Sequence, residues 1–303
     1  MIMLRRKQIM IDFLVDLTKY PFLQKALLVC VLTSISCGIV GSFVVVRRIT
    51  YIAGSIAHCV LGGMGIARYL QVVYDVRWFH PLLGAVIAAL SAAVIIGLVS
   101  LYAREREDTV IGALWATGMA VGILFIARTP GYSEDLMSYL FGNILMVSSR
   151  DVYIIAGLDV LIAAAVALGY NQFVAVCFDE EFARLRGLPV QYYYLLLLCI
   201  TALTVVLLIT VVGIVMVIAL LTLPAAIAGQ FSRTLKQMII LAVLISMAVT
   251  SGGLAVSYGP DLPAGATIIV LAGGLYVLVL GLKKLAGLHV KPVDLDISDK
   301  HHT

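Results

Sequence analysis

Nine stretches of about 20 residues run almost free of charge, near 22–46, 51–71, 81–103, 109–127, 151–171, 190–210, 211–229, 237–257 and 263–282. Nothing constrains a chain more. In hydrocarbon no water can satisfy a backbone N–H or C=O, so each run must close its hydrogen bonds internally as a helix. Of 303 residues 62% are hydrophobic and 13% charged, where a soluble domain is nearer one-half and one-quarter. The mean hydropathy is +1.08. The pattern predicts an all-α polytopic membrane protein of eight to nine transmembrane helices. The count stays open because the runs meeting near Val211 to Gly213 could form one long bent helix. A membrane domain is expected over 21–283, after a lead-in at 1–20 and before a polar tail at 284–303. Residues 134–148 are apolar but short, as suits an interfacial or re-entrant helix.

Charge is scarce, and where it falls sets orientation. Cytoplasmic loops carry an excess of Lys and Arg. Arg47 and Arg48, Arg104 and Arg106, Arg184 and Arg186, Arg233 and Lys236, and the tail from Lys283 share one side if nine spans run from an outside N-terminus. The exception is Arg5, Arg6 and Lys7, which fall outside in this scheme. No apolar h-region with a small-residue cleavage site follows them, so a surface-lying lead-in is expected there, not a cleaved signal. The formal net charge of +4 carries no signature of nucleic-acid binding. Five cysteines without CxxC spacing read as small buried hydrophobes.

Catalytic signatures are missing. The chain has no G-x-x-x-x-G-K-[ST], no Gly-rich dinucleotide turn and no paired carboxylates, so it predicts neither an enzyme nor a bound cofactor. If ATP supplies energy, another chain must hydrolyse it.

The longest polar interruption after Arg106 is "CFDEEFARLRGLPV", Cys177 to Val190. Asp179 can N-cap a short helix whose positive first turn holds Glu180 and Glu181. Glu180 precedes Arg184 at i,i+4, Gly187 can take the left-handed position, and Pro189 stops the helix. Phe178, Phe182 and Leu185 form one apolar stripe. Such a cytoplasmic helix is either an amphipathic linker resting on headgroups or a coupling helix seated in a partner's groove.

"YIAGSIAHCVLGGMGIA", Tyr51 to Ala67, places His58 inside an apolar run. Gly54, His58, Gly62 and Gly65 share one helical face, with Ser55, Cys59 and Gly63 beside it. Small residues let helices approach closely, so this face is expected against another helix. Ile52, Ile56, Val60 and Met64 on the opposite face are expected against lipid. His58 would then point into the bundle at about mid-depth. There it is either a metal ligand or a structural histidine bonded to a neighbouring helix.

Five blocks in order resemble the membrane permease subunits of bacterial ABC importers for zinc, manganese or iron: "GSFVVVRRITYIAGSIAHCVLGGMGIA", "DLMSYLFGNIL", "FDEEFARLRGLPV", "VVGIVMVIALLTLPAAIAGQFSRTLKQM" and "DLPAGATIIVLAG". The resemblance spans about 41–282. It implies a permease domain in the bacterial plasma membrane that dimerises and carries a divalent metal ion. ATPase subunits would bind through the helix at about 179–187, at Asp179, Glu180, Phe182, Arg184 and Gly187. An extracytoplasmic binding protein would deliver the metal. It also implies that His58 lies on the metal path. Related permeases carry an aspartate one turn before this histidine, where this sequence has Gly54. Without that hard oxygen donor, the remaining nitrogen leans toward zinc over manganese.

Other polar residues carry less. His80, near Asp75, reads as a solvated loop residue, Asp261 as a turn former, and Glu134 and Asp135 as helix caps. His289, His301 and His302 lie in the tail. A stand-alone carrier driven by an ion gradient would be expected to hold acids within its spans. Only Asp159 lies clearly inside one, with Asp151 at an edge. Ser55 beside His58 lacks the orienting acid that an intramembrane hydrolase would need.

Overall fold

The structure, a computed structural model, describes residues 13, 15–102, 106–130, 142, 144–260 and 262–285. Eight of its helices are long and apolar enough to cross a membrane. In chain order these are α1 (Pro21–Val46), α2 (Thr50–Val73), α3 (Pro81–Tyr102), α4 (Glu107–Ala127), α5 (Ser149–Leu168), α8 (Val190–Val212), α10 (Leu235–Tyr258) and α11 (Ala264–Leu285). Between them lie the short helices α6 (Tyr170–Phe178) and α7 (Glu180–Leu185), and the 16-residue α9 (Ile214–Gly229). Glu134, Asp135, Asp261, the basic cluster at 5–7 and the tail histidines lie outside the described residues, as does most of the stretch 134–148. Of that stretch, Ile144–Met146 form a single 3-10 turn packed on α1.

Direction follows from contacts. Val243 of α10 backs onto Gly38 of α1, the Thr250 hydroxyl donates 3.4 Å to the Cys30 carbonyl, and the Tyr258 hydroxyl donates to the Asp16 carboxylate, so α1 and α10 are antiparallel. Arg47, at the end of α1, lies over the Tyr194 ring near the start of α8. Lys283, near the end of α11, donates 2.8 Å to the Gln230 carbonyl just past α9. Leu221 of α9 meets Gly41, toward the basic end of α1. So α8 leaves the side to which α9 returns, and the chain reverses at Gly213. The backbone there has φ 79° and ψ 161°, which only glycine adopts without strain. Two helices, not one bent one, meet at this point. At 1.5 Å per residue α9 is only about 24 Å long.

Arg47, Arg48, Arg106, Lys236 and Lys283 gather at one side, while Arg128 and Arg150 stand at the opposite helix ends. Arg47 meets Glu180, Lys236 lies 5.1 Å from the Tyr170 ring, and Lys283 reaches Gln230. That side is cytoplasmic by the Lys/Arg rule.

Helices α2 and α4 run parallel, with α3 returning the chain between them. Ser55 pairs with Ile111, Cys59 with Leu114, and Tyr69 with Phe125, all in rising order. Glycines allow the approach: an added Cβ at Gly62 would stand 2.8 Å from the Gly118 oxygen, and one at Gly65 2.6 Å from the Gly122 oxygen. On the flank of α2, Gly63 backs directly onto Gly84 of α3.

The opposite face of α2 departs from expectation. Ile52, Ile56 and Val60 are buried, and Met64 is partly so. Helices α8 and α9 also pack on α2, so it is enclosed by protein and not by lipid. A helix apolar all round is a buried helix. Helices α4 and α11 are the least buried of the eight.

Candidate functional site: a histidine between two parallel helices

His58 is the ninth residue of α2, about 12 Å along the helix from Thr50 at 1.5 Å per residue. It therefore sits a little over a third of the way along α2 from its cytoplasmic end, somewhat short of mid-depth, because α2 starts directly after the Arg48 turn. Its ring lies flat on Trp115 of α4, centroids 4.5 Å apart and planes 19° apart. Tyr51 flanks the same indole at 5.6 Å. Nδ1 of His58 is buried and has no hydrogen-bond partner among the described residues.

Neighbouring groups are already engaged. The Ser55 hydroxyl donates 3.0 Å to the Ile111 carbonyl, which removes it as a nucleophile paired with His58. The Cys59 thiol donates 3.3 Å to the Leu114 carbonyl and does not join the imidazole. A Cβ at Gly54 would touch the Trp115 ring at 3.4 Å, so the indole lies where a side chain from Gly54 would begin. No group of three metal-ligating side chains occurs among the described residues. Within one chain, His58 offers a single donor nitrogen. Such an arrangement can make one bond to a passing ion, and a neutral imidazole suits zinc and its divalent neighbours.

The cytoplasmic helix α7 is built by local chemistry. The Asp179 carboxylate accepts from the Phe182 N–H at 2.9 Å, and Glu180 and Glu181 fill the first turn. At the other end Gly187 stands at φ 75°. The Leu188 N–H donates to the Ala183 carbonyl at 3.0 Å, and that of Gly187 to the Arg184 carbonyl at 2.9 Å, a Schellman closure. Glu180 lies 3.7 Å from Arg184 as expected, but its closer partner is Arg47 of α1.

The apolar stripe divides. Phe178 packs against the core, whereas Leu185 is 88% exposed and Phe182 36%. Arg186 covers the Phe182 ring at 4.7 Å. Beside them a groove of about 410 Å³ runs between Gln172, Phe178, Phe182 and Leu188.

Residues 19–283 match the ABC 3 transport family. The chain belongs to that family. It is 43% identical over 264 residues to a probable metal transport system membrane protein of Chlamydia muridarum, covering 87% of this chain and 90% of that one. To the manganese transport system membrane protein MntC of Halalkalibacterium halodurans it is 33% identical, covering 88% and 89%. The solved structure of PsaBC from Streptococcus pneumoniae in complex with Fab superposes with a TM-score of 0.79 at 30% identity, covering 91% of this chain and 99% of that chain. This ABC 3 permease is thus a multi-pass plasma-membrane protein.

The sequence had pointed to some of the site and missed the rest. His58 and the α2 glycines stand against another helix as expected. Trp115 is not legible as a site residue and Arg47 is legible only as a marker of orientation, since neither an aromatic within an apolar helix nor a basic residue at a helix end carries a local signal of its partner. The Asp159 carboxylate of α5 is 5% exposed and accepts from Ser36 of α1, so the one acid well inside a described span joins two helices. His80 is exposed, and its Nδ1 accepts from the Leu82 N–H at 3.3 Å, as a solvated helix-capping residue would.

Proposed function

We propose that this permease moves a divalent transition metal ion inward across the plasma membrane by alternating access, with His58 as a ligand on the path. The observation that carries this is the His58 ring itself. It is a half-buried, flat-stacked imidazole inside a span, with its buried Nδ1 free of any described protein partner. The relatives named for metal transport and for manganese transport support the substrate class. Within that class, a nitrogen donor without a carboxylate at Gly54 favours zinc over manganese.

Energy would come from separate ATPase subunits seated on α7, where Phe182 and Leu185 project beside the groove. A binding protein on the outer side would deliver the ion. Two copies of the chain would pair, as the resemblance to ABC importer permeases implies. A carrier powered by an ion gradient is not favoured. The family is an ABC family, and Asp159 is already held by Ser36. Uptake of zinc and manganese by vesicles carrying the permease with its ATPase tests the proposal. ATP-dependent zinc uptake is expected, and uptake driven by a proton or sodium gradient alone would contradict it.

A further inference from the structure

We infer that Arg47 is a positioning residue that ties the short cytoplasmic helix to the α1–α2 hairpin, so that movement of α7 is passed to the helix carrying His58. The inference rests on the reading of α7 as the seat of the ATPase.

One guanidinium joins four elements. Arg47 closes α1 and ion-pairs with Glu180 on the first turn of α7. Its Nη1 donates 3.4 Å to the Val176 carbonyl of α6. Its planar head lies 5.3 Å from the Tyr194 ring of α8. The side chains of Arg47 and Glu180 are 24% and 32% exposed, so solvent screens the pair less than it would a surface pair. Only arginine has the flat fork that can serve a carboxylate, a carbonyl and an aromatic face together. Beneath it, Phe43 of α1 meets Phe173 of α6 edge-on at 5.8 Å.

The connection onward to α2 is short and stiff. Three residues separate the helices, and their N–H groups are all bonded: Arg47 to Phe43, Arg48 to Val45 and Ile49 to Val44. Arg48 takes φ 60°, a left-handed position seldom held by a residue with a side chain. Ile49 is buried at 7% exposure. A push on Glu180 therefore reaches the base of α2 through bonded, packed groups. Glu180 is thereby reassigned, from a residue facing the ATPase to one facing its own bundle.

The test uses the permease–ATPase complex in zinc-loaded proteoliposome assays, comparing wild type, Arg47→Glu, Arg47→Gln and the exchange Arg47→Glu/Glu180→Arg. Three quantities are read: ATPase retained on purification, ATP hydrolysed, and zinc moved per ATP. Arg47→Glu and Arg47→Gln should retain the ATPase and hydrolyse ATP. Zinc moved per ATP should fall about tenfold, as losing roughly 1.4 kcal/mol of coupling would require, and the exchange should recover most of it. Normal zinc per ATP in both single variants overturns the inference, and so does loss of the ATPase from them. An exchange that recovers nothing also overturns it, since Arg47 would then be only structural. A second readout does not depend on any ATPase. Spin labels at Leu185 and Tyr51, both exposed, should give a narrow distance distribution in the wild-type chain and a broader one in Arg47→Gln. An unchanged width overturns the link, whereas failure of the wild-type chain to hold an ATPase would count only against the docking reading.

Discussion

The indole of Trp115 lies against the imidazole of His58 at 4.5 Å, with the two planes only 19° apart. The stack fixes the ring that would meet the ion and supplies a reporter, because the chain has two tryptophans and Trp78 is in the exposed outer loop. Trp78→Phe should leave an emission that comes from Trp115 alone. Cobalt or manganese bound at His58 would sit within contact range of the indole and quench it. Titration should give saturable quenching that His58→Ala removes. Quenching that is unchanged in His58→Ala would place the ion elsewhere.

Gly62 faces Gly118 so closely that a side chain must displace backbone. Gly62→Leu should cost about 1–3 kcal/mol or more in packing and lower the folded yield, read by size exclusion in detergent. Gly157 of α5 has nothing within 4 Å of an added Cβ, so Gly157→Ala should leave the yield unchanged or raise it.

Ser36 and Asp159 bridge α1 and α5 in a buried place, and the second carboxylate oxygen has no described partner. Ser36→Ala should destabilise the fold by about 1–3 kcal/mol, the cost of leaving a buried polar group unpaired. Adding Asp159→Leu should restore part of that loss. Thermal unfolding of the two single variants and the double variant measures the coupling. Strict additivity would mean that the bond contributes nothing.

Leu185 projects from α7 at 88% exposure, and the Phe182 ring beside it is covered only in part, by Arg186. Phe182→Asp should abolish co-purification of the ATPase while the permease remains inserted in the membrane. Retained binding and transport would leave α7 as a linker only.

How far the fold could be read depended on how local its causes are. The cap at Asp179, the left-handed Gly187 and the glycine face of α2 were legible, because each is decided within a turn or two of helix. The burial of Ile52, Ile56 and Val60 was not. Lipid and a protein core are equally apolar, so aliphatic side chains do not distinguish them. The reversal at Gly213 was half legible, as a break whose direction depends on distant contacts. Glu180 had an expected partner four residues away, yet it also pairs with Arg47, 133 positions earlier. A local pair can be read from spacing; a tertiary one cannot.

The central claim is that His58 binds the transported ion. The direct measurement is uptake of radiolabelled zinc and manganese by vesicles carrying the complex with wild type, His58→Ala or Gly54→Asp. His58→Ala should abolish zinc uptake while assembly and basal ATP hydrolysis persist. Gly54→Asp should shift preference toward manganese by adding a hard oxygen beside the ring. Zinc uptake at the wild-type rate in a fully assembled His58→Ala complex would contradict the claim and leave His58 a packing partner of Trp115.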